Sequence, residues 1–216
     1  DARKAVTYEQ LDLHTSNLAG HLQDAGLQPG DHVAIYLPNS VEWVVSCLAI
    51  ARAGLVSVPI SHDAAPGEVT YRINDSGAKV VITTNDRLSV LTAEAKEITG
   101  SPRLVVLGSA NSQDGLQYES LISTRPTSIP RDSEDMDAEA FIIYTSGTTG
   151  AAKGVRLSTR SMLWVVAACW APITGLCSDD RVLSPLPLFH SYALNFSVLS
   201  ILATGASEHI MEKYSS

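Results

Sequence analysis

The chain has 216 residues, of which 45% are hydrophobic and 18% charged, with a formal net charge of −8 and a pI near 5.1. This length and apolar content are sufficient for one large or two small globular domains with a sizeable core. The acidic balance argues against a nucleic-acid partner, which would need a basic face. A nucleotide cleft needs only local positive charge, so it is not excluded.

The cysteines and the apolar stretches predict a cytoplasmic protein without a transmembrane segment. The thiols are odd in number and match no paired metal spacing, which favours buried thiols in a reducing compartment: Cys47, Cys169 and Cys177. No signal peptide is recognisable at the amino terminus. The longest apolar stretch, 162–177, is interrupted by Pro172 and Gly175 and is shorter than the ~20 residues that span a bilayer, so a buried helix is predicted.

Helices and strands alternate along the first half of the chain. Thr7 with Gln10 predicts a capping box for a first helix that Gly26 ends, and Ser40 caps a second helix at 41–53. Further helices are predicted at 66–74 and from Asn85 to about residue 98, and strands at 33–37, 56–60, 80–83 and 104–107. This alternation predicts an α/β fold with mainly parallel sheets flanked by helices.

Residues 108–138 differ in composition, being rich in Ser, Gly, Pro and Asp. Acidic residues crowd at the end of this stretch: Asp132, Glu134, Asp135, Asp137 and Glu139. A catalytic acidic pair is conceivable, but so dense a run is typical of a solvated connector. We therefore predict an acidic connector near 108–138.

The most informative stretch follows, between predicted strands at 141–144 and 155–157. It contains glycines, hydroxyl side chains and a single lysine: Thr145, Ser146, Gly147, Thr148, Thr149, Gly150, Lys153 and Gly154. Glycines let backbone N–H groups approach an anion, while hydroxyls and a lysine are suited to phosphate. The alternative is a flexible surface loop. The common P-loop pattern is not met, because Ala152 lies five residues after Gly147.

Beyond this loop, Ser158 or Thr159 can cap an apolar helix in which Trp164 and Trp170 are predicted to fill the core. A strand at 182–184 enters the segment PLPLFHSYAL. A helix at 195–203, ended by Gly205, and a strand at 207–211 complete the predicted elements.

The stretch YTSGTTGAAKGV resembles the phosphate-loop signature of the adenylate-forming superfamily, which comprises acyl- and aryl-CoA synthetases, peptide-synthetase adenylation domains and luciferases. Ala152 stands where that family usually has proline. Other stretches are also similar to the family: VTYEQLD, IARAGLVSVPIS, EVTYRINDSGAKVVIT and PLPLFHSYAL. The resemblance implies that 1–216 form part of the large amino-terminal, AMP-binding domain, without the mobile carboxy-terminal domain.

The resemblance also implies an activity. Such enzymes join a carboxylic acid to ATP, release pyrophosphate, and pass the acyl group to CoA or to the phosphopantetheine of a carrier protein. Lys153 is expected to be catalytic and, with the loop residues from Thr145 to Gly154, to bind ATP. The ligands of Mg²⁺ are expected largely outside this stretch, and no metal ligand is assigned within it. The fragment alone is then inactive; the alternatives are a non-catalytic nucleotide-binding or interaction module and a peptide-synthetase adenylation domain.

Substrate residues are implied in PLPLFHSYAL. Phe189 and His190 match an aromatic–histidine pair implicated in substrate and pantetheine access, and Tyr192 and Ala193 are assigned to the substrate pocket, with His190 also a catalytic candidate. A core histidine with satisfied hydrogen bonds is the alternative for His190. The segment carries no carboxylate to pair with an ammonium group, which disfavours an α-amino acid substrate. Aryl and alkyl acids, and CoA and carrier-protein acceptors, remain open.

Overall fold

The computed structural model describes residues 5–108, 115–145 and 151–212. Its helices are α1 Tyr8–Asp24, α2 Val41–Arg52, α3 Pro66–Ser76, α4 Leu88–Ala93, α5 Tyr118–Ser123, α6 Thr159–Val165, α7 Ser191–Ala193 and α8 Ile201–Thr204. Its strands are β1 His32–Tyr36, β2 Val56–Pro59, β3 Val80–Thr84, β4 Arg103–Leu107, β5 Leu116–Gln117, β6 Glu139–Thr145, β7 Lys153–Ser158, β8 Arg181–Ser184 and β9 Ser207–Ile210. A π-helical turn, Val166–Trp170, extends α6, and another, Leu194–Ser200, joins α7 to α8.

The strands form two sheets. The larger sheet has the order β5-β4-β3-β1-β2-β6-β7, and β8 pairs with β9 in a separate two-stranded sheet. All pairings are parallel except that of β6 with β7, which is antiparallel. The segment between β6 and β7 is too short for the crossover that a parallel pairing needs. The predicted α/β class with mainly parallel sheets is confirmed.

Local capping signals set the helix ends as predicted. The Thr7 hydroxyl accepts from the Gln10 amide while the Gln10 side chain accepts from the Thr7 amide, which completes the capping box of α1. The Ser40 side chain accepts from the Trp43 amide at the start of α2. Gly77 ends α3 with φ +64°, a conformation that glycine adopts without steric cost.

Both faces of the larger sheet are covered. One face packs against α1, α2, α5 and residues 188–198 through side chains that include Val33, Ile35 and Ile143. The other packs against α3 and α4 through Ala34, Tyr36, Val58 and their neighbours. This two-layer burial is why the strand sequences are almost wholly apolar rather than alternating.

Two segments differ from the predicted elements. Asn85 does not cap a long helix: Asn85–Arg87 form a 3-10 turn, and α4 ends at Ala93. Only Leu91 of α4 is fully buried, and beyond Ala93 the chain continues as turns, in which the Ala95 amide donates to the Thr92 carbonyl three residues earlier. Within 108–138, where no element was predicted, the structure places β5 and α5.

Trp164 is not a core residue, so that prediction is wrong. Its side chain is 68% exposed, whereas Met162 and Val166 of the same helical segment are buried. Because Trp164 lies two residues from each of them, it points to the opposite side of the helix. Trp170 is partly buried in an aromatic cluster described below.

Candidate functional site

The first part of the predicted site lies where β6 ends and β7 begins, at the end of the hairpin that leads into the connecting segment. Thr145 and Lys153 are paired neighbours in the antiparallel ladder, and the Thr145 hydroxyl lies 3.5 Å from the Lys153 carbonyl oxygen. Both residues are exposed. The hairpin therefore brings a hydroxyl and a primary amine to the same end of two adjacent strands.

Five predicted phosphate-binding residues lie outside the described ranges: Ser146, Gly147, Thr148, Thr149 and Gly150. Gly154 is described, and it does not adopt the positive φ angle that was expected. A Cβ atom there would lie 2.7 Å from Ile142 Cγ2 and 3.3 Å from Tyr144 Cζ. Glycine is needed at this position for close packing against β6 rather than for a positive φ angle.

The second part of the predicted site follows β8. The exposed His190 precedes α7, and its Nδ1 accepts from the Tyr192 amide at 3.4 Å. His190 is therefore a helix-capping residue at the surface and not the core histidine of the alternative interpretation. Tyr192 is half exposed, whereas Ala193 is buried.

Aromatic rings gather next to this segment. The Trp170 ring lies 5.4 Å from the ring of Tyr192 in an edge-to-face arrangement and 4.9 Å from the ring of Phe196. The rings of Tyr192 and Phe196 are 6.4 Å apart. These separations fall in the range of favourable aromatic contacts. We call Trp170, Tyr192 and Phe196 the aromatic cluster.

A cleft of about 640 Å³ lies at the carboxyl ends of the parallel strands, where open α/β sheets commonly bind ligands. Its lining comes from segments that follow β1, β2, β8 and β9: Leu37, Pro38, Asn39, Ser61, His62, Asp63, Pro185, Leu186, Pro187, Phe189 and Glu212. Among the predicted substrate residues, Phe189 faces this cleft. Its volume is within the range of small-molecule sites.

Asn39 holds the two sheets together at the cleft and was missed by the sequence analysis. Its Nδ2 donates to the carbonyls of Leu186 at 2.8 Å and Met211 at 3.2 Å. Its Oδ1 accepts from the Leu188 amide at 2.8 Å. The available signal was its position in Leu-Pro-Asn-Ser, directly after a predicted buried strand.

The two parts of the site are separate in the chain and in the sheets. Lys153 begins β7 of the larger sheet, whereas His190 lies between β8 and β9, the strands of the smaller sheet. No hydrogen bond or ion pair joins the two side chains in the described part of the structure. The structure therefore groups Thr145 with Lys153, and His190 with Tyr192.

No group of three or more His, Cys, Asp or Glu side chains in 5–108, 115–145 and 151–212 is placed to hold a metal ion. Over the same ranges, none of the helices combines the length and the hydropathy required to cross a bilayer.

Comparison with known sequences assigns the family. A family model for AMP-binding enzymes matches residues 1–216. The naringenin synthase of Pestalotiopsis fici is 36% identical over 96% of this chain and 8% of its own length. The 4-coumarate–CoA ligase 1 of Narcissus pseudonarcissus is 31% identical over 98% of this chain and 39% of its own. The long-chain-fatty-acid–CoA ligase FadD13 of Mycobacterium tuberculosis is 33% identical over 91% of this chain and 38% of its own length.

Solved structures with the same fold include CoA ligases. The anthranilate CoA ligase AuaEII in complex with anthranoyl-AMP has a TM-score of 0.92 at 22% identity, over 99% of this chain and 41% of its own. The inhibitor-bound N-terminal domain of FACL13 from Mycobacterium tuberculosis has a TM-score of 0.83 at 30% identity. The match covers 97% of this chain and 51% of the FACL13 chain. The chain spans less than two fifths of the length of the curated relatives named above. The chain belongs to the AMP-binding enzyme family, with the fold of the amino-terminal domain of adenylate-forming CoA ligases.

Proposed function

We propose that this chain is part of an ATP-dependent ligase that joins a carboxylic acid to a thiol. A carboxylate oxygen attacks the α-phosphorus of ATP. The bond between the α-phosphorus and the oxygen that bridges to the β-phosphorus breaks, and pyrophosphate leaves. The thiol of CoA or of phosphopantetheine then attacks the acyl carbon, and AMP departs. The observation that supports this most is the family match over 1–216, together with the exposed Lys153 and Thr145 at the hairpin end.

The hairpin residues have an electrostatic role in this proposal. Negative charge develops on the departing pyrophosphate, and donors fixed around it lower the barrier. Lys153 supplies positive charge and Thr145 a hydroxyl donor. Mg²⁺ would add positive charge on the phosphates, but no residue in the described ranges is assigned to hold it.

The acid is proposed to be aromatic. The aromatic cluster lies directly beside His190, and the half-exposed Tyr192 offers a ring for contact with a planar substrate. Several relatives are named for aromatic acids, such as 4-coumarate and anthranilate. His190 and Phe189 are assigned to substrate and pantetheine access. The three thiols are free, as is compatible with a cytoplasmic location, but only Cys47 is buried, and the prediction of a buried thiol is wrong for the exposed Cys177.

The test uses the protein expressed from the complete reading frame that contains this chain. Exchange of labelled pyrophosphate into ATP is measured with 4-coumarate, benzoate, octanoate, palmitate and alanine in turn. We expect exchange with at least one aromatic acid and none with alanine. Exchange with the alkyl acids alone would refute the aromatic assignment, and no exchange with any acid would refute the ligase proposal.

Asn39 is expected to affect use of the acid, because it bonds to the backbone of Leu186 and Leu188, directly before Phe189 and His190. Asn39→Ala removes three hydrogen bonds to the backbone of the segments after β8 and β9. At about 0.5–1.5 kcal/mol for each hydrogen bond, we expect the free energy of unfolding to fall by about 2 kcal/mol and the KM for the acid to rise.

The matched control is Asn74→Ala. Asn74 also binds a loop, through the Glu97 carbonyl and the amide and hydroxyl of Thr99, but it does not line the cleft. Urea denaturation and exchange kinetics are compared for both variants. An equal change in the KM for the acid in both would contradict a specific role for Asn39.

A further inference from the structure

Helix α3 contacts both strands of the β6–β7 hairpin. The Tyr71 hydroxyl donates to the Ala152 carbonyl at 2.8 Å, directly before β7. The Tyr144 hydroxyl, on β6, donates to Asp75 Oδ2 at 2.6 Å. The two tyrosine rings meet edge to face with centroids 6.2 Å apart, and the Arg72 guanidinium lies 5.6 Å from the Tyr144 ring centroid.

These contacts fall immediately next to the proposed phosphate-binding residues. Tyr144 precedes Thr145, and Ala152 precedes Lys153, and Thr145 pairs with Lys153 across the ladder. Helix α3 therefore contacts the hairpin at the residue next to Thr145 on one side and at the residue next to Lys153 on the other.

Helix α3 is itself a rigid support. Val69 and Ile73 are each 1% exposed and pack into the core between the helix and the sheet. The Tyr144 hydroxyl is protonated and can donate at neutral pH, since the ordinary pKa of tyrosine is about 10, and burial and the Asp75 carboxylate raise that pKa further.

The hydrogen bond from Tyr71 is accepted by Ala152, a residue whose own side chain does not fix its backbone φ angle. Ala152 lacks the ring that would fix its φ angle, so the chain leading into Lys153 has more conformational freedom than a proline would allow. A donor on its carbonyl restricts the orientation of the peptide that joins Ala152 to Lys153.

We propose that Tyr71 is a positioning residue that acts through Lys153, fixing the lysine for contact with the triphosphate of ATP. This inference rests on the proposed function of the hairpin. The competing role for Tyr71 is packing alone, in which the hydroxyl only stabilises the contact between α3 and β7.

The test is Tyr71→Phe, which keeps the ring and removes only the hydroxyl. We expect the KM for ATP to rise roughly three- to tenfold, as for the loss of one hydrogen bond, with the KM for the acid unchanged. We expect the melting temperature to change by less than about 2 °C. Tyr144→Phe, which frees the other strand from Asp75, is a second variant with the same expected direction.

Tyr118→Phe is the matched control, because Tyr118 also donates to a backbone carbonyl, that of Glu42, at 3.1 Å, but lies on α5. A double-variant cycle with Lys153→Ala separates positioning from packing. If Tyr71 acts through the lysine, Tyr71→Phe has no further effect on the KM for ATP once Lys153 is alanine.

The outcomes are distinct. Absence of pyrophosphate exchange in the unmodified protein refutes the proposed function itself. Exchange in the unmodified protein with the same KM for ATP in Tyr71→Phe and Tyr118→Phe refutes the positioning role alone. An undiminished effect of Tyr71→Phe in the Lys153→Ala background also refutes it.

Discussion

Replacing Lys153 by alanine is expected to lower the rate of carboxylate-dependent pyrophosphate exchange by about 100- to 1,000-fold. The removal of one preorganised donor from a site where charge develops raises the barrier by about 2.7–4 kcal/mol. Lys153 is exposed at the start of β7, so its replacement leaves the core intact and the melting temperature nearly unchanged. Steady-state exchange at saturating acid and varied ATP measures the effect.

Arg156→Ala is the matched control for this prediction. Arg156 lies on the same strand and carries the same charge, but its guanidinium pairs with Glu139. Exposed ion pairs contribute about 0–1 kcal/mol, so we expect exchange to change by less than about fivefold. Equal exchange rates in Lys153→Ala and the unmodified protein would remove Lys153 from the mechanism.

Glu208→Gln is expected to stabilise the protein above neutral pH by about 2–3 kcal/mol. Glu208 lies on β9, and its Oε1 is buried with no hydrogen-bond partner in the described part of the structure. Burial raises the pKa of its carboxyl to about 7, and the neighbouring hydroxyls of Ser184 and Ser197 oppose that rise only in part. The charge of Glu208 also acts on Tyr8, whose pKa is raised by burial and by that charge.

The sign of the pH dependence follows from this raised pKa. The unfolded carboxyl ionises near its ordinary pKa, whereas the folded carboxyl ionises only near 7. Between these values the unfolded state binds fewer protons, so stability falls as the pH rises, and the full penalty is present above the folded pKa. Glutamine does not ionise, so the variant escapes that penalty.

Urea denaturation between pH 5 and 8.5 checks the prediction. The stability difference between Glu208→Gln and the unmodified protein should be largest at pH 8.5 and shrink steadily toward pH 5. Glu97→Gln, at an exposed carboxylate on another part of the surface, controls for the loss of one negative charge. Parallel stability profiles for Glu208→Gln and the unmodified protein would contradict a buried, protonated Glu208.

The elements that could be predicted from the sequence are those with local causes. The hydroxyls of Thr7 and Ser40 bind amides three residues away, so the starts of α1 and α2 follow from adjacent residues. The buried strands follow from short apolar runs bounded by turns. The pairing of β6 with β7 follows from the short segment between them.

Elements held by distant contacts were missed. Helix α5 has six residues and no side-chain cap, and it depends on Tyr118, which is fully buried and bonds to a carbonyl 76 residues away. The Asn17 side chain also donates to the Ile122 carbonyl, 105 residues away. Such contacts leave no periodic pattern in the local sequence.

The candidate site also has residues that the local sequence reveals and residues that only the fold reveals. The residue types around Lys153 predict phosphate binding because glycines, hydroxyls and a lysine occur together in one stretch. The supporting residues Tyr71 and Asn39 act across 81 and 147 residues of sequence, so only the fold reveals their partners. Phosphate binding by Gly154 stays a prediction, and its close approach to Ile142 and Tyr144 depends on the strand pairing.

The fate of the carboxylate oxygen tests the central claim most directly. The acid is labelled with oxygen-18 in its carboxylate, and a full turnover is run with ATP and CoA. If the carboxylate attacks the α-phosphorus, the AMP that is released carries one labelled oxygen, which mass spectrometry detects. Unlabelled AMP, or label in orthophosphate with formation of ADP, would contradict acyl-adenylate formation by this protein.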